Sequence, residues 1–303
     1  MHRTQTSITS FRYDWFHLVA VGIVIPLVTL AVTSCGGEST PTAPTTSTPA
    51  AQAAPTVSAL RIDGPAAVRT GMSSDYTATA TLSNGTTQAV TPTWSSSNSG
   101  IATVDGSGRL TGQSHGQAAL TATYQGGSTT KNVAVVANFG GQWSGFYMMK
   151  ACDQSGVFQQ VGYCQGMGGV GAIGPVALSV TQGGTDQSQL SGTISFGGIN
   201  GNLSGNVTAD ARMVIGASFN LISSGVAFAM TVGGWESRLS GPSSMTGRWA
   251  DNLTATGVPG NVYTENELQV MTRSSLASAG SAAPPMIRLE WAELFESMRR
   301  RQR

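Results

Sequence analysis

Residues 76–87 read Tyr76-Thr77-Ala78-Thr79-Ala80-Thr81-Leu82-Ser83-Asn84-Gly85-Thr86-Thr87. Side chains alternate with period two along an extended chain, so Tyr76, Ala78, Ala80 and Leu82 share one face and the threonines the other. Asn84-Gly85 ends the run and accepts the positive φ of a type I′ hairpin turn. Leu120-Thr121-Ala122-Thr123-Tyr124 repeats the alternation, and Val133 with Val135 makes a further short strand. Asp105-Gly106-Ser107-Gly108 is another turn cluster. Short strands at this spacing between Val57 and Ala137 predict a small β-sandwich.

Several blocks then occur in order: Leu82-Ser83-Asn84-Gly85-Thr86-Thr87, Thr93-Trp94-Ser95-Ser96-Ser97-Asn98, Ile101-Ala102-Thr103-Val104-Asp105, Gly108-Arg109-Leu110-Thr111-Gly112 and Gly116-Gln117-Ala118-Ala119-Leu120-Thr121-Ala122. Together they resemble the bacterial immunoglobulin-like domain, group 2 (BIG2). His115 departs from the family, which often has Pro before that Gly. The resemblance implies an Ig-like sandwich with Trp94 as a core anchor. It implies little about function, since the family serves as spacers and adhesive units alike.

Downstream, a second β-rich region covers 138–275. Strands are expected at Trp143–Met149, Val176–Gln182, Gln189–Phe196, Asn202–Ala209, Arg212–Asn220, Val226–Val232, Met245–Ala250 and Glu267–Thr272. Leu190-Ser191-Gly192 and Leu203-Ser204-Gly205 lie 13 residues apart, which fits successive hairpin arms with Gly allowing a close approach at a barrel corner. Meandering strands without intervening helices predict an up-and-down barrel, with a sandwich or open meander as the alternative. Gly141-Gln142-Trp143 resembles the opening of lipocalin-like (calycin) barrels. That resemblance implies a Trp plugging one end beneath an Arg from a late strand, here Arg273 or Arg248. The fold class is therefore all-β: an Ig-like sandwich, a second antiparallel domain and a short C-terminal helix.

Upstream, Leu18–Val32 is a 15-residue apolar run ending in Val32-Thr33-Ser34-Cys35, with Arg3, Arg12 and His17 before it. A basic start, a short apolar middle and small residues at the exit make a secretory signal over 1–34. The run is short for a spanning helix and Pro26 interrupts it; an uncleaved anchor is the rival reading. Cys35 resembles the lipidated residue of bacterial lipoproteins, which implies attachment to the membrane through an N-terminal lipid. Gly36, where inner-membrane retention signals carry Asp, favours the outer membrane. Residues 35–56 read as a disordered Pro/Thr/Ser-rich linker.

The 276–303 stretch reads as linker and helix. Pro284-Pro285 break the chain, and Ile287, Trp291, Leu294, Phe295 and Met298 then fall on one helical face. Arg299, Arg300, Arg301 and Arg303 finish it, as the helix dipole favours. Packing on a domain surface, contact with anionic lipid and a loosely ordered tail are the three readings.

Chemistry is sparse. Charged residues are 10% of the chain, against about 25% on average. Net charge is +1, so there is no basic field for nucleic acid. Beyond the signal the only histidine is His115 and the only lysines are Lys131 and Lys150. No nucleophilic triad, zinc motif, EF-hand or P-loop is present, so catalytic residues, metal ligands and cofactors are not assigned and the chain is read as a non-enzyme. Cys152 and Cys164 form a local disulfide in an oxidising compartment, with a metal site as the rival. Asp153, Asp186, Asp210, Glu236 and Asp251 are scattered acids.

Three functions are compatible with these features. The first is a lipid-anchored envelope protein presenting its second β domain to a surface glycan, envelope polymer or protein. The second is a carrier with a lipophile in an apolar barrel interior. The third is a hydrolase with two acids about 5–10 Å apart in a cleft.

Overall fold

The computed structural model describes residues 53–223 and 225–274. The expected signal segment, Cys35, most of the linker and the C-terminal segment lie outside them. Strands β1 (Val57–Asp63), β2 (Ala67–Arg69), β3 (Ser73–Asp75), β4 (Thr77–Leu82), β5 (Thr87–Val90), β6 (Thr93–Ser96), β7 (Ala102–Val104), β8 (Arg109–Gly112), β9 (Gly116–Tyr124) and β10 (Gly127–Val136) build the first domain. They form sheets ordered β1-β4-β5, β2-β10-β9-β6 and β3-β8-β7, antiparallel throughout except for the β2–β10 pair.

Alternation places the core as the sequence predicts. In β9, Ala118, Leu120 and Ala122 are buried against Leu110, Val133 and Val135, and Trp94 packs half-buried beside them. Each fully buried Leu or Val contributes about 1.5–3 kcal/mol. The turn at Asn84-Gly85 is not type I′. Gly85 has φ +84° but Asn84 does not have a positive φ. Gly85 N–H donates to Leu82 O, and Leu82 N–H to Thr86 O, the pattern of a type I turn closed by a glycine bulge. Asn84 Oδ1 accepts from Thr86 N–H and Oγ1–H, a local bond that a type I′ turn does not need.

The second domain is a closed eight-stranded antiparallel barrel. Its strands are β11 (Gly141–Gln154), β12 (Ile173–Gly183), β13 (Gln189–Phe196), β14 (Ile199–Val207), β15 (Arg212–Ser223), β16 (Val226–Gly241), β17 (Ser244–Ala255) and β18 (Val258–Arg273). Each strand pairs with the next, and β18 returns to β11 with Trp143 opposite Arg273. Gly192 and Gly205 sit where neighbouring backbone crosses closely: an added Cβ would lie 1.9 Å from Ser179 O and 2.0 Å from Val214 O. The close approach expected of the Ser-Gly pairs is present.

The expectation of no helix between the strands is corrected. Two short helices, α1 (Gly156–Gln160) and α2 (Tyr163–Gly166), lie between β11 and β12. Phe158, Tyr163 and Cys164 bury against Phe228, Leu253 and Val262, closing that end of the barrel. A bond between Cys152 and Cys164 staples the insertion to β11.

At the opposite end, Phe139 and Trp143 are buried and the Arg273 guanidinium lies 4.6 Å from the Trp143 ring. Of the two arginines expected over Trp143, Arg273 takes the place and Arg248 lies elsewhere, on the outer wall. Gln182 joins the two domains here. Its Oε1 accepts from Phe139 N–H at 2.8 Å and Gly140 N–H at 3.2 Å. Its Nε2 donates to Ala137 O at 2.9 Å and Gln187 O at 2.8 Å.

Candidate functional site

The barrel wall is irregular at one place. Gly233 pairs with Ala250 and Glu236 with Arg248, so Gly234 and Trp235 together oppose Trp249. This bulge, with Gly234 at φ +59°, turns Trp235 inward onto Trp249, ring centroids 4.2 Å apart. Outside, two adjacent glycines leave the wall without side chains, and a groove of about 970 Å³ opens over β16, β17 and β18.

Charges of alternating sign cross this groove. Arg212 Nη1 lies 3.1 Å from Glu236 Oε2. Glu236 stands opposite Arg248, and Arg248 opposite Glu267. Glu267 Oε2 is 3.3 Å from Lys150 Nζ on β11. Asp210, in the β14–β15 turn, meets Arg212 Nε at 2.8 Å and Arg238 Nη2 at 2.9 Å. These groups are a third to a half exposed, so each pair contributes only about 0–1 kcal/mol and its members are free to exchange partners. Tyr263 and Glu265 complete the β18 side of the groove. Cations Lys150, Arg212, Arg238 and Arg248 are offset by Asp210, Glu236, Glu265 and Glu267, leaving a wall rich in donors and acceptors with no net field.

The interior is occupied. Tyr147, Phe196, Phe219, Trp235 and Trp249 form one aromatic cluster, with Tyr147 5.2 Å and Phe196 5.5 Å from Trp249. Below the α1–α2 cap lies a polar layer. Asn266 Nδ2 donates to Asp251 Oδ2 at 2.9 Å and to Thr264 Oγ1 at 2.7 Å, and Trp249 Nε1 approaches the same carboxylate at 3.3 Å. Burial pushes the Asp251 carboxyl above its ordinary range, against the pull of these donors. Burial also raises the Tyr147 phenol to about 12, with the Asp251 charge adding to it.

Of the scattered acids, Asp210 and Glu236 come together through Arg212, which both of them hold. Asp186 accepts from Ser188 in the β12–β13 turn, and its hydrogen bonds hold its carboxyl below the ordinary value. Asp210 is lowered first by its bond from Thr208 and then by its two arginines. Asp251 is half-buried on β17, Glu236 pairs with Arg212, and Asp153 is exposed on β11. Among the described residues no three His, Cys, Asp or Glu side chains group to hold a metal ion. Cys152 and Cys164 are joined to each other. The groove residues Lys150, Arg248, Tyr263, Glu265 and Glu267 were not singled out from the sequence as a site. The period-two spacing of Tyr263, Glu265 and Glu267 is the signal that marks them as one outward face.

Residues 56–135 match the bacterial Ig-like domain (group 2) family, and a domain of that kind is present. No curated protein matches the chain. Among solved structures, domains 4–9 of surface layer protein SbsC are similar at 13% identity and TM-score 0.25, over 70% of this chain and 31% of that one. Domains 5–6 of the S-layer protein SbsC match at 13% identity and TM-score 0.24, over 70% of this chain and 98% of that one. The S-layer protein rSbsC(31-844) matches at 15% identity and TM-score 0.24, over 77% and 41%. The chain spans about a third of the length of the first of these, and likeness at this level bears on neither activity nor partners.

Proposed function

We propose that this chain is an exported envelope protein, tethered by lipid at Cys35, whose Ig-like domain is a spacer and whose barrel binds a neutral, hydroxyl-rich surface polysaccharide in the outer groove. The observation that carries the binding role is the alternation of guanidinium and carboxylate groups beside Tyr263. Sugar hydroxyls both donate and accept, so a wall offering both in alternation suits them, and an aromatic face suits the apolar side of a sugar ring. A polyanion would need an excess of cations, and the groove has none. A carrier needs an empty apolar interior, whereas this barrel holds its own aromatic cluster.

Two measurements test this reading. In titration calorimetry against neutral envelope polysaccharides, Tyr263→Ala and Arg248→Ala should each weaken binding about tenfold, or about 1.4 kcal/mol. Binding that neither substitution alters, or no binding to any such polymer, overturns the assignment. Cys35→Ser should move the protein from the membrane fraction to the soluble one; continued anchoring refutes lipid attachment.

A further inference from the structure

Of the arginines among the described residues, Arg61, Arg109, Arg212 and Arg238 pair with carboxylates, and Arg248 stands between Glu236 and Glu267. Arg69 and Arg273 remain, and the fold brings these two together at the domain junction. Arg69 ends β2, paired with Val136 of β10; Arg273 ends β18, opposite Trp143. A Cβ added to Gly140 would lie 3.1 Å from Arg69 Nη1, and one added to Gly141 would lie 3.5 Å from Arg273 Cδ and 4.0 Å from its Nε. The two cations therefore lie against consecutive residues, whose Cα atoms are about 3.8 Å apart. Both side chains are half-buried. Arg273 Nη2 donates to Asn138 O, and its Nε is enclosed without an acceptor among the described residues. Neither arginine has a carboxylate partner among those residues. Burial lowers the pKa of the Arg273 guanidinium, and the Arg69 charge lowers it further. Like charges held together in this way repel, and a counter-charge relieves them.

We infer that Arg69 and Arg273 hold a dianionic phosphate group, free or as a terminal monoester on a larger molecule, in a second binding site at the domain junction. A guanidinium presents its N–H donors as a planar fork that matches phosphate oxygens. A phosphate monoester carries about −1.5 to −2 charges at neutral pH, which balances two arginines. A carboxylate brings one charge and leaves the pair half offset. One arginine comes from each domain, so the bound group also ties the two together. The site lies at the Trp143 end of the barrel, shares no residue with the outer groove, and does not rest on the reading of that groove.

Titration calorimetry of the full chain at low salt tests the site, with inorganic phosphate and glucose 6-phosphate as probes. Arg69→Gln should weaken binding at least tenfold. Lys131→Gln should leave it unchanged, since Lys131 lies about 17 Å back along β10 from Val136. In phosphate-free buffer Arg69→Gln should match or exceed the wild-type Tm, because it removes a repulsion and no ion pair. Failure of both probes to bind with Kd below about 1 mM overturns the inference. Equal weakening by Lys131→Gln overturns it as well, marking diffuse attraction to positive charge. A lower Tm for Arg69→Gln without phosphate also overturns it, since Arg69 would then hold a structural partner. Tighter binding of glucose 6-phosphate than of phosphate supports the site and assigns it to a phosphorylated sugar; equal or weaker binding supports it and assigns it to free phosphate.

Discussion

Replacing Gln182 by Leu removes four hydrogen bonds at the domain junction. Gly140 N–H retains Asn138 Oδ1 at 3.2 Å, and Gln187 is only half-buried. Phe139 N–H and Ala137 O are different: both residues are buried, and each group is left without this partner. An unsatisfied buried group costs about 1–3 kcal/mol, so the substitution should destabilise the barrel by about 3 kcal/mol. For a folded region of this size that is a fall of about 6–12 °C in Tm, read by calorimetry. Gln182→Glu sharpens the test. Its carboxylate still accepts from Phe139 and Gly140 but sets an acceptor against Ala137 O and Gln187 O. A proton on the inner oxygen restores the donor, so the folded state raises this carboxyl's pKa. The folded chain then holds the proton more tightly than the unfolded one, and stability falls as pH rises through that value. The variant should approach wild type in acid and lose stability toward neutral pH. A Gln182→Leu loss under 2 °C, or a Gln182→Glu deficit that does not change with pH, refutes the reasoning.

Breaking the staple with Cys152→Ser and Cys164→Ser should lower stability by about 3 kcal/mol, the chain-entropy value for a loop this short; denaturant unfolding measures it, and an unchanged midpoint refutes it. Burial raises the Asp251 carboxyl in the folded state, so its contribution to stability is lost as pH rises from the ordinary carboxylate range, about 3.9, through the folded value. Asp251→Asn cannot ionise. Its Tm relative to wild type should therefore climb with pH across that window, and a difference constant with pH would count against a raised Asp251.

All eight barrel strands are legible in the chain because inward positions alternate with polar ones, as at Leu190, Gly192 and Ile194 and at Leu203, Gly205 and Val207. Their ends are less so. The Glu267–Thr272 strand is in fact β18 from Val258 to Arg273, because Pro259-Gly260 reads as a turn and the inward Thr264 and Asn266 are polar. Those two are inward and polar for one reason: they bond to each other, and Asn266 also to Asp251 on the neighbouring strand β17, a pairing set by register and invisible along the sequence. The groove is hidden in the same way. Arg212, Glu236, Arg248, Glu267 and Lys150 come from five strands, and only pairing makes them neighbours. The α1–α2 cap is not legible because both helices are too short to show a helical period, and Phe158 and Tyr163 bury against residues of β16, β17 and β18 far away in sequence.

Closure of the sheet through β11 and β18 has a kinetic consequence. Most pairings in the barrel join consecutive strands and form by local hairpin steps. The seam between Gly141–Gln154 and Val258–Arg273 joins the two ends of the domain and requires its whole length to be made. Contacts of such long sequence separation form slowly. Until the seam closes, β11 and β18 are both bare edges able to pair with any other extended chain. Nascent molecules are therefore at greatest risk of misassembly in the interval between synthesis of β11 and arrival of β18.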